Sequence, residues 1–232
     1  RMQPRQEVVH SRILNFFGIG ESQLETEIID LIQKQHNPTI APLAKEGEVT
    51  LRLTARAATI AEAKALISVT EKDIRRRVGQ YIYGADEESL AEVVVKQLLR
   101  SNETLAVAES CTGGIVSNMV TAVPGSSATF LGGIVCYSVT SKQDWLGVPA
   151  SILRKHGTVS EVTAKYLAER VKEHLASDYG IGVTGVAGPD AIEGKPVGLV
   201  YVALARPDQP TIVKQLQLRG LRDTIQTRAA KQ

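Results

Sequence analysis

Hydrophobic positions recur along the chain with two periods, and the switches between them outline its elements. Val8 to Phe17 is rich in β-branched and aromatic residues and predicts a strand, broken by Gly18-Ile19-Gly20. Ser22, with Glu25 three residues on, has the spacing of a capping box. Leu24, Ile28, Leu31 and Ile32 then repeat at helical spacing, and Asn37-Pro38 stops that helix. Val49, Leu51 and Leu53 alternate with Thr50, Arg52 and Thr54, which predicts a half-buried strand. Ala61 to Val78 reads as a helix with Ala63, Leu66, Ile67, Ile74 and Val78 facing inward. Residues 8–78 therefore spell β-α-β-α, a small two-layer α+β unit. Gly79 to Gly84 is a connector or short strand, and Asp86-Glu87-Glu88 opens a helix through Leu99. A domain boundary is placed near residue 84, giving domains 8–84 and 85–232.

From residue 104 the pattern alternates. Strands are expected at Leu105–Ala108, Gly133–Val139 and Ile181–Val186, with helices at Ile115–Val123 and, capped by Ser160, at Glu161–Ser177. Val197–Ala205 and Thr211–Leu218 read as neighbouring strands joined through Pro207–Pro210, and a helix begins at Asp223. Strands alternating with helices argue for a sheet covered on both faces. The hairpin makes that sheet mixed.

Composition narrows the classes. With 232 residues, 43% of them hydrophobic and 22% charged, the chain suits one large or two small domains. Its core needs no disulfide or metal staple. The net charge is +2, and residues 1–100 hold 14 basic and 14 acidic residues. That excludes a generic electrostatic nucleic-acid binder. No run approaches the ~18 apolar residues of a membrane span, and no signal-peptide segment stands near the start. Two cysteines, Cys111 and Cys136, make no disulfide framework, so a reducing cytoplasm is the expected location. The four histidines show no ligand spacing, and no metal is expected. The chain begins at Arg1 and ends in Ala229-Ala230-Lys231-Gln232 without a helix stop, so both ends read as cut.

Five segments have residues that can do chemistry. Ala108-Glu109-Ser110-Cys111-Thr112-Gly113-Gly114 sits where a buried strand meets a helix. It is either a capped helix start or an anion or oxyanion site at the carboxyl edge of the sheet, with Ser110 presented there. Cys111 there is a small buried filler or an activated thiol. Tyr137-Ser138-Val139-Thr140-Ser141-Lys142 ends a strand. Locally Lys142 reads as a solvated helix-start lysine; held neutral by burial, it can instead activate a serine. Thr184-Gly185-Val186-Ala187-Gly188-Pro189-Asp190 is a tight turn or adds donors to the same edge, and Pro124-Gly125-Ser126-Ser127 can return a hydroxyl. Arg222 is a surface arginine or a bidentate anion ligand.

These residues resemble a family. Ala-Glu-Ser-Cys-Thr-Gly-Gly at 108–114, Pro-Gly-Ser-Ser at 124–127, Tyr137 with Lys142, Gly-Val-Pro at 147–149, Gly-Thr-Val-Ser at 157–160, Thr-Gly-Val-Ala-Gly-Pro at 184–189 and Lys-Pro-Val-Gly at 195–198 look like the CinA family. Residues 8–84, with Phe16-Phe17-Gly18-Ile19-Gly20-Glu21-Ser22 and Arg52-Leu53-Thr54-Ala55, resemble the family's K-homology-like domain. The family's first, molybdopterin-binding-like domain has no counterpart in the sequence, which makes Arg1 an internal linker residue.

The resemblance implies a three-layer α/β/α sandwich with a mixed sheet, preceded by a small α+β K-homology-like domain. It implies a serine–lysine amidohydrolase that converts nicotinamide mononucleotide to nicotinic acid mononucleotide without cofactor or metal. Ser110 then matches the nucleophile, Lys142 the base, and Tyr137 a residue beside the base. Ser127 and Thr184, like Tyr137, match polar residues lining the site, and Arg222 an arginine near it. In the expected mechanism backbone N–H groups near Thr112, Gly113 and Gly114, with the Ser127 hydroxyl, meet the oxyanion and Arg222 the substrate phosphate. A homodimer is implied. Val139, Asp190 and Gln226 depart from the family pattern. The alternative the resemblance carries is a competence-related binding protein with RecA or nucleic acid as partner. Residues 1–100 hold no Gly-x-x-Gly pair to clamp a nucleic-acid backbone. The basic run Lys72–Arg77 lies on a predicted helix and reads as a solvated face.

Overall fold

The computed structural model describes residues 7–45 and 47–232, so Arg1 lies outside the described residues. The chain divides into two compact units, one ending at Val93 and the other starting at Val94. Among the described residues no helix is long and apolar enough to cross a membrane.

The first unit runs β1 (Val8–Phe16), α1 (Glu21–Glu27), α2 (Ile29–Gln33), β2 (Thr39–Lys45), β3 (Glu48–Ala57), α3 (Ile60–Val78), a 3-10 turn and β4 (Ile82–Ala85). Its sheet has the order β2-β3-β1-β4, antiparallel throughout. Leu14, Phe16, Leu51, Leu53 and Ala55 form its inner face and pack on Leu24, Ile28, Ala63, Ile67, Ile74 and Val78.

Several local expectations change here. Gly20, not Ser22, stands at the start of α1, with no side-chain cap. Ile28 drops fully into the core and splits the expected helix in two. Leu66 is 37% exposed and does not belong to the inner stripe. β2 was not expected from the sequence. It contains Pro42, which an edge strand tolerates. Asp86 opens no helix: its carboxylate accepts the Ile13 N–H and pairs with Arg12. The capping box is Ser89 with Glu92, and α4 (Leu90–Ser101) begins after it. On α3, Arg75 pairs with Glu71, Arg76 with Asp73 and Arg77 with Asp30. Arg77 holds the Asp30 carboxyl down at about 2. These arginines of the basic run face carboxylates of their own surface, as a solvated face does.

The second unit holds β5 (Leu105–Glu109), α5 (Ile115–Thr121), β6 (Phe130–Val135), α6 (Val139–Asp144), α7 (Ala150–His156), α8 (Glu161–His174), β7 (Tyr179–Gly185), β8 (Leu199–Arg206), β9 (Gln209–Gln217) and α9 (Arg222–Ala230). The sheet order is β6-β5-β7-β8-β9. β5 lies parallel to β6 and β7, while β8 and β9 run antiparallel, so the sheet is mixed as expected. Every residue of β5 is buried, which requires cover on both faces. Ala106 and Ala108 pack against Leu167 and Val171 of α8 and against Leu146, Val148 and Leu153. The alternate face turns Glu109 toward the start of α5. The fold is thus a three-layer α/β/α sandwich preceded by a small α+β domain.

β6 spans Phe130–Val135 where Gly133–Val139 was expected. A Ser138–Ser141 capping box ends the extended run and makes Val139 the first residue of α6. Ser160 caps α8, as its position before Glu161 implied.

Candidate active site

Three parallel strands deliver their carboxyl ends to one edge of the second sheet, where α/β proteins place ligands. Ser110 follows β5, Cys136 and Tyr137 follow β6, and Thr184 lies near the end of β7. The α6 capping box turns the chain so that Lys142, the fourth residue of that short helix, points back under the sheet edge. Its Nζ lies 3.0 Å from Ser110 Oγ, 2.7 Å from the Cys136 carbonyl and 3.2 Å from that of Tyr137. Lys142 is 1% exposed and Ser110 7%. The solvated lysine that the local pattern favours is therefore not what the fold makes. Burial pushes the Lys142 pKa down, against the weaker opposing pull of Cys136, Cys111 and Glu193.

A pocket of about 100 Å³ opens on this pair. Ser110, Cys111, Lys142, Thr158, Thr184 and Ile192 are among its lining residues, with Tyr137 and Arg222 also on its wall. Arg222 donates to the Tyr137 hydroxyl at 2.8 Å and to the Gly188 carbonyl. The Tyr137 side chain is 59% exposed and turns to Arg222, so its main-chain carbonyl, not its ring, meets Lys142. Thr184 is buried and donates its hydroxyl to the Thr158 carbonyl at 2.7 Å.

The turn after Ser110 differs from an open anion seat. Gly113 and Gly114 have φ of 62° and 103°, which side chains other than glycine rarely adopt. Glu109, fully buried, reaches round this turn. Its carboxylate accepts the N–H groups of Gly114, Val116 and Ser117 at 2.8–3.0 Å and the Ser117 hydroxyl at 2.7 Å. The chain's own carboxylate thus occupies the helix N-terminus, and the Gly113 N–H is bound to the Ser110 carbonyl. Neither glycine N–H is left for an oxyanion. Among the described residues the N–H groups of Cys111 and Thr112 have no protein partner, and the buried Thr112 hydroxyl has none.

Ser127 is not brought to the pocket. It sits exposed in a 3-10 turn before β6, whose first residue pairs with Leu105, the first of β5. That is the opposite end of the strands from Ser110. Cys111 lines the pocket, but burial raises its thiol to about 12, which leaves it protonated. Gln226 donates to the Cys111 carbonyl at 2.7 Å and ties α9 to the turn, so this departure has a structural role. Val139 and Asp190 are exposed. Sequence reasoning missed Glu109, Glu193 and Thr158. A carboxylate closing a run of buried strand residues, beside a glycine turn, is the signal that marks Glu109.

A mixed-sheet α/β/α sandwich with a buried serine–lysine pair at its strand ends defines the class. The chain belongs to the CinA family. Residues 11–84 match the damage-inducible protein CinA KH domain, and residues 87–232 match the CinA C-terminal domain. A competence-damage inducible protein of Geobacillus sp. (strain WCH70) is 52% identical over 227 residues, covering 98% of this chain and 55% of that relative. One from Bacillus cereus (strain AH820) is 52% identical over 225 residues, 97% of this chain and 55% of the relative. The chain spans about half the length of the curated relatives it matches. Two solved structures are similar. The competence damage-inducible protein A from Klebsiella pneumoniae has a TM-score of 0.58 and 31% identity, covering 60% of this chain and 86% of its own. The competence/damage inducible protein CihA from Agrobacterium tumefaciens has 0.59 and 30%, covering 61% and 87%.

Proposed function

We propose that this chain hydrolyses the carboxamide of nicotinamide mononucleotide, giving nicotinic acid mononucleotide and ammonia. The observation that carries the reading is the buried 3.0 Å contact between Lys142 Nζ and Ser110 Oγ. A neutral amine has two N–H donors and one lone pair. The Cys136 and Tyr137 carbonyls accept the two donors, and the lone pair then faces the Ser110 hydroxyl. Lys142 takes the Ser110 proton as Oγ attacks the carboxamide carbon. The N–H groups of Cys111 and Thr112 are the donors assigned to the oxyanion; one such donor is worth roughly 3–4 kcal/mol. The lysine proton passes to the departing nitrogen, which leaves as ammonia. Water then attacks the acyl carbon, giving a proton to Lys142, and Lys142 passes it to Ser110 Oγ as the acyl–Oγ bond breaks and the acid leaves.

The pocket is smaller than the roughly 300–1,000 Å³ of a complete small-molecule site. It suits the carboxamide-bearing ring, with the rest of the nucleotide outside and its phosphate assigned to Arg222. The domain limits 8–84 and 85–232, a homodimer and a cytoplasmic location belong to the same proposal. Two unpaired, buried thiols suit a reducing compartment.

Ammonia release from nicotinamide mononucleotide tests it. Ser110→Ala and Lys142→Ala each abolish release, and Cys111→Ala keeps most of it. Full activity in Ser110→Ala would sink the pair.

A further inference from the structure

We propose that Glu193 is a positioning residue of this site, holding through Thr158 the pocket wall that receives the substrate ring. The proposal rests on the serine–lysine reading above and assigns the specificity of the same pocket.

Ile192 to Lys195 forms the smallest kind of hairpin. Ile192 N–H donates to the Lys195 carbonyl at 3.2 Å, and Lys195 N–H returns to the Ile192 carbonyl at 2.9 Å. The two residues between them, Glu193 and Gly194, have φ of 55° and 71°, the signature of a type I′ turn. Glutamate is a poor choice for such a position on backbone grounds alone. Its side chain supplies the reason. Glu193 accepts the Thr158 N–H at 2.9 Å, the Thr158 hydroxyl at 2.8 Å and the Lys195 ammonium at 2.9 Å. Lys195 also donates to the His156 carbonyl at 3.1 Å. Gly157 lies between these anchors, and a Cβ there would sit 2.1 Å from Glu193 Oε2. Burial alone would raise the Glu193 carboxyl, but the bonds from Thr158 and Lys195 prevail and hold it at about 2.

The clamp reaches the pocket through Thr158 and Ile192. Both line it, and the Thr158 carbonyl accepts the Thr184 hydroxyl. The Thr158 and Thr184 hydroxyls are therefore engaged with protein partners. With those hydroxyls taken, Val159, Ala187 and Ile192 supply the apolar part of a lining that also holds Ser110 and Lys142. Such a wall selects a flat aromatic carboxamide over a hydrated aliphatic one. Among the described residues Glu193 makes no hydrogen bond to Ser110 or Lys142; apart from the weak pull of its charge on Lys142, its contacts are with the wall.

The test is Glu193→Ala in the full chain, with three readouts. KM for nicotinamide mononucleotide rises about tenfold while kcat stays within about threefold, the pattern of lost ground-state binding. Acylation of Ser110 by p-nitrophenyl acetate, too small to need the wall, stays within about twofold. Hydrogen exchange at the Thr158 amide speeds up about tenfold or more. An unchanged KM overturns the proposal, and so does a parallel loss of p-nitrophenyl acetate reaction, which marks a collapsed site. A wild-type chain inert toward both compounds would count against the serine–lysine reading. In that case the Thr158 exchange rate decides the clamp by itself, and an unchanged rate overturns it.

Discussion

Glu109→Gln separates the carboxylate at the start of α5 from an ordinary buried side chain of the same size. Glutamine keeps one acceptor oxygen. Its best orientation leaves the Gly114 and Val116 N–H groups on that oxygen and turns the amide nitrogen toward Ser117. The Ser117 hydroxyl rotates to accept, but the Ser117 N–H then faces another donor. That orphaned N–H costs about 1–3 kcal/mol, and reducing two charge-assisted bonds to neutral ones costs roughly 1 kcal/mol each. Loss of negative charge at the helix N-terminus adds about 0.3–1 kcal/mol. The expected destabilisation is about 3–6 kcal/mol, a large share of the roughly 5–15 kcal/mol that holds a domain folded. Urea unfolding followed by far-UV circular dichroism measures it, with hydrogen exchange at the Gly114, Val116 and Ser117 amides as the local readout. A variant within about 1 kcal/mol of wild type, with the Ser117 amide still protected, would refute the idea that this carboxylate seats the helix.

Four further outcomes are expected. Lys142 acts as a base only when neutral, so ammonia release rises with pH and levels off above a pKa lying below the usual 10.5; a pH–rate profile measures it, and Lys142→Arg has no such limb because arginine stays charged. The same depression means the folded chain binds fewer protons than the unfolded one between the two values. Stability therefore rises with pH in that window, by at most about 1.4 kcal/mol per pH unit. Gly157→Ala lowers the thermal midpoint, because φ 81° and ψ 173° cost a side-chain-bearing residue about 1–3 kcal/mol even before the clash with Glu193. Cys111, held near 12, reacts with a disulfide reagent at pH 8 about tenfold or more slowly in the native protein than in urea.

The sequence pattern located what is periodic and lost what depends on a single contact. β3 and α3 alternate or repeat over ten or more residues, and both were legible. α6 and α7 have six and seven residues, too short for a period to declare itself; α6 showed only as a helix start at Lys142, and α7 was not foreseen. The break at Ile28 and the edge strand with Pro42 came from tertiary packing that overrides local preference. At the site, Ser110 and Lys142 were nominated by motif resemblance, and burial of the lysine ran against its local pattern. Ser127 was assigned by the same resemblance, and the parallel β5–β6 pairing carries it to the wrong end of the strands. Glu109 and Glu193 were missed because each works by bonding main-chain N–H groups distant from its own position.

The parallel pairing of β5 with β6 also times the appearance of chemistry during folding. Ser110 and Lys142 belong to different strand–helix connections, and they meet only after the chain from Leu105 to Val135 has crossed over and paired, with Glu109 opposite Val135. Such non-local pairing forms late because a long loop must close first. A refolding chain is therefore expected to regain helical signal before the Ser110–Lys142 contact forms. On the proposed function, Ser110 then doubles as a sensor of native strand alignment, and a slip of one residue would separate it from Lys142 while leaving the secondary structure largely intact.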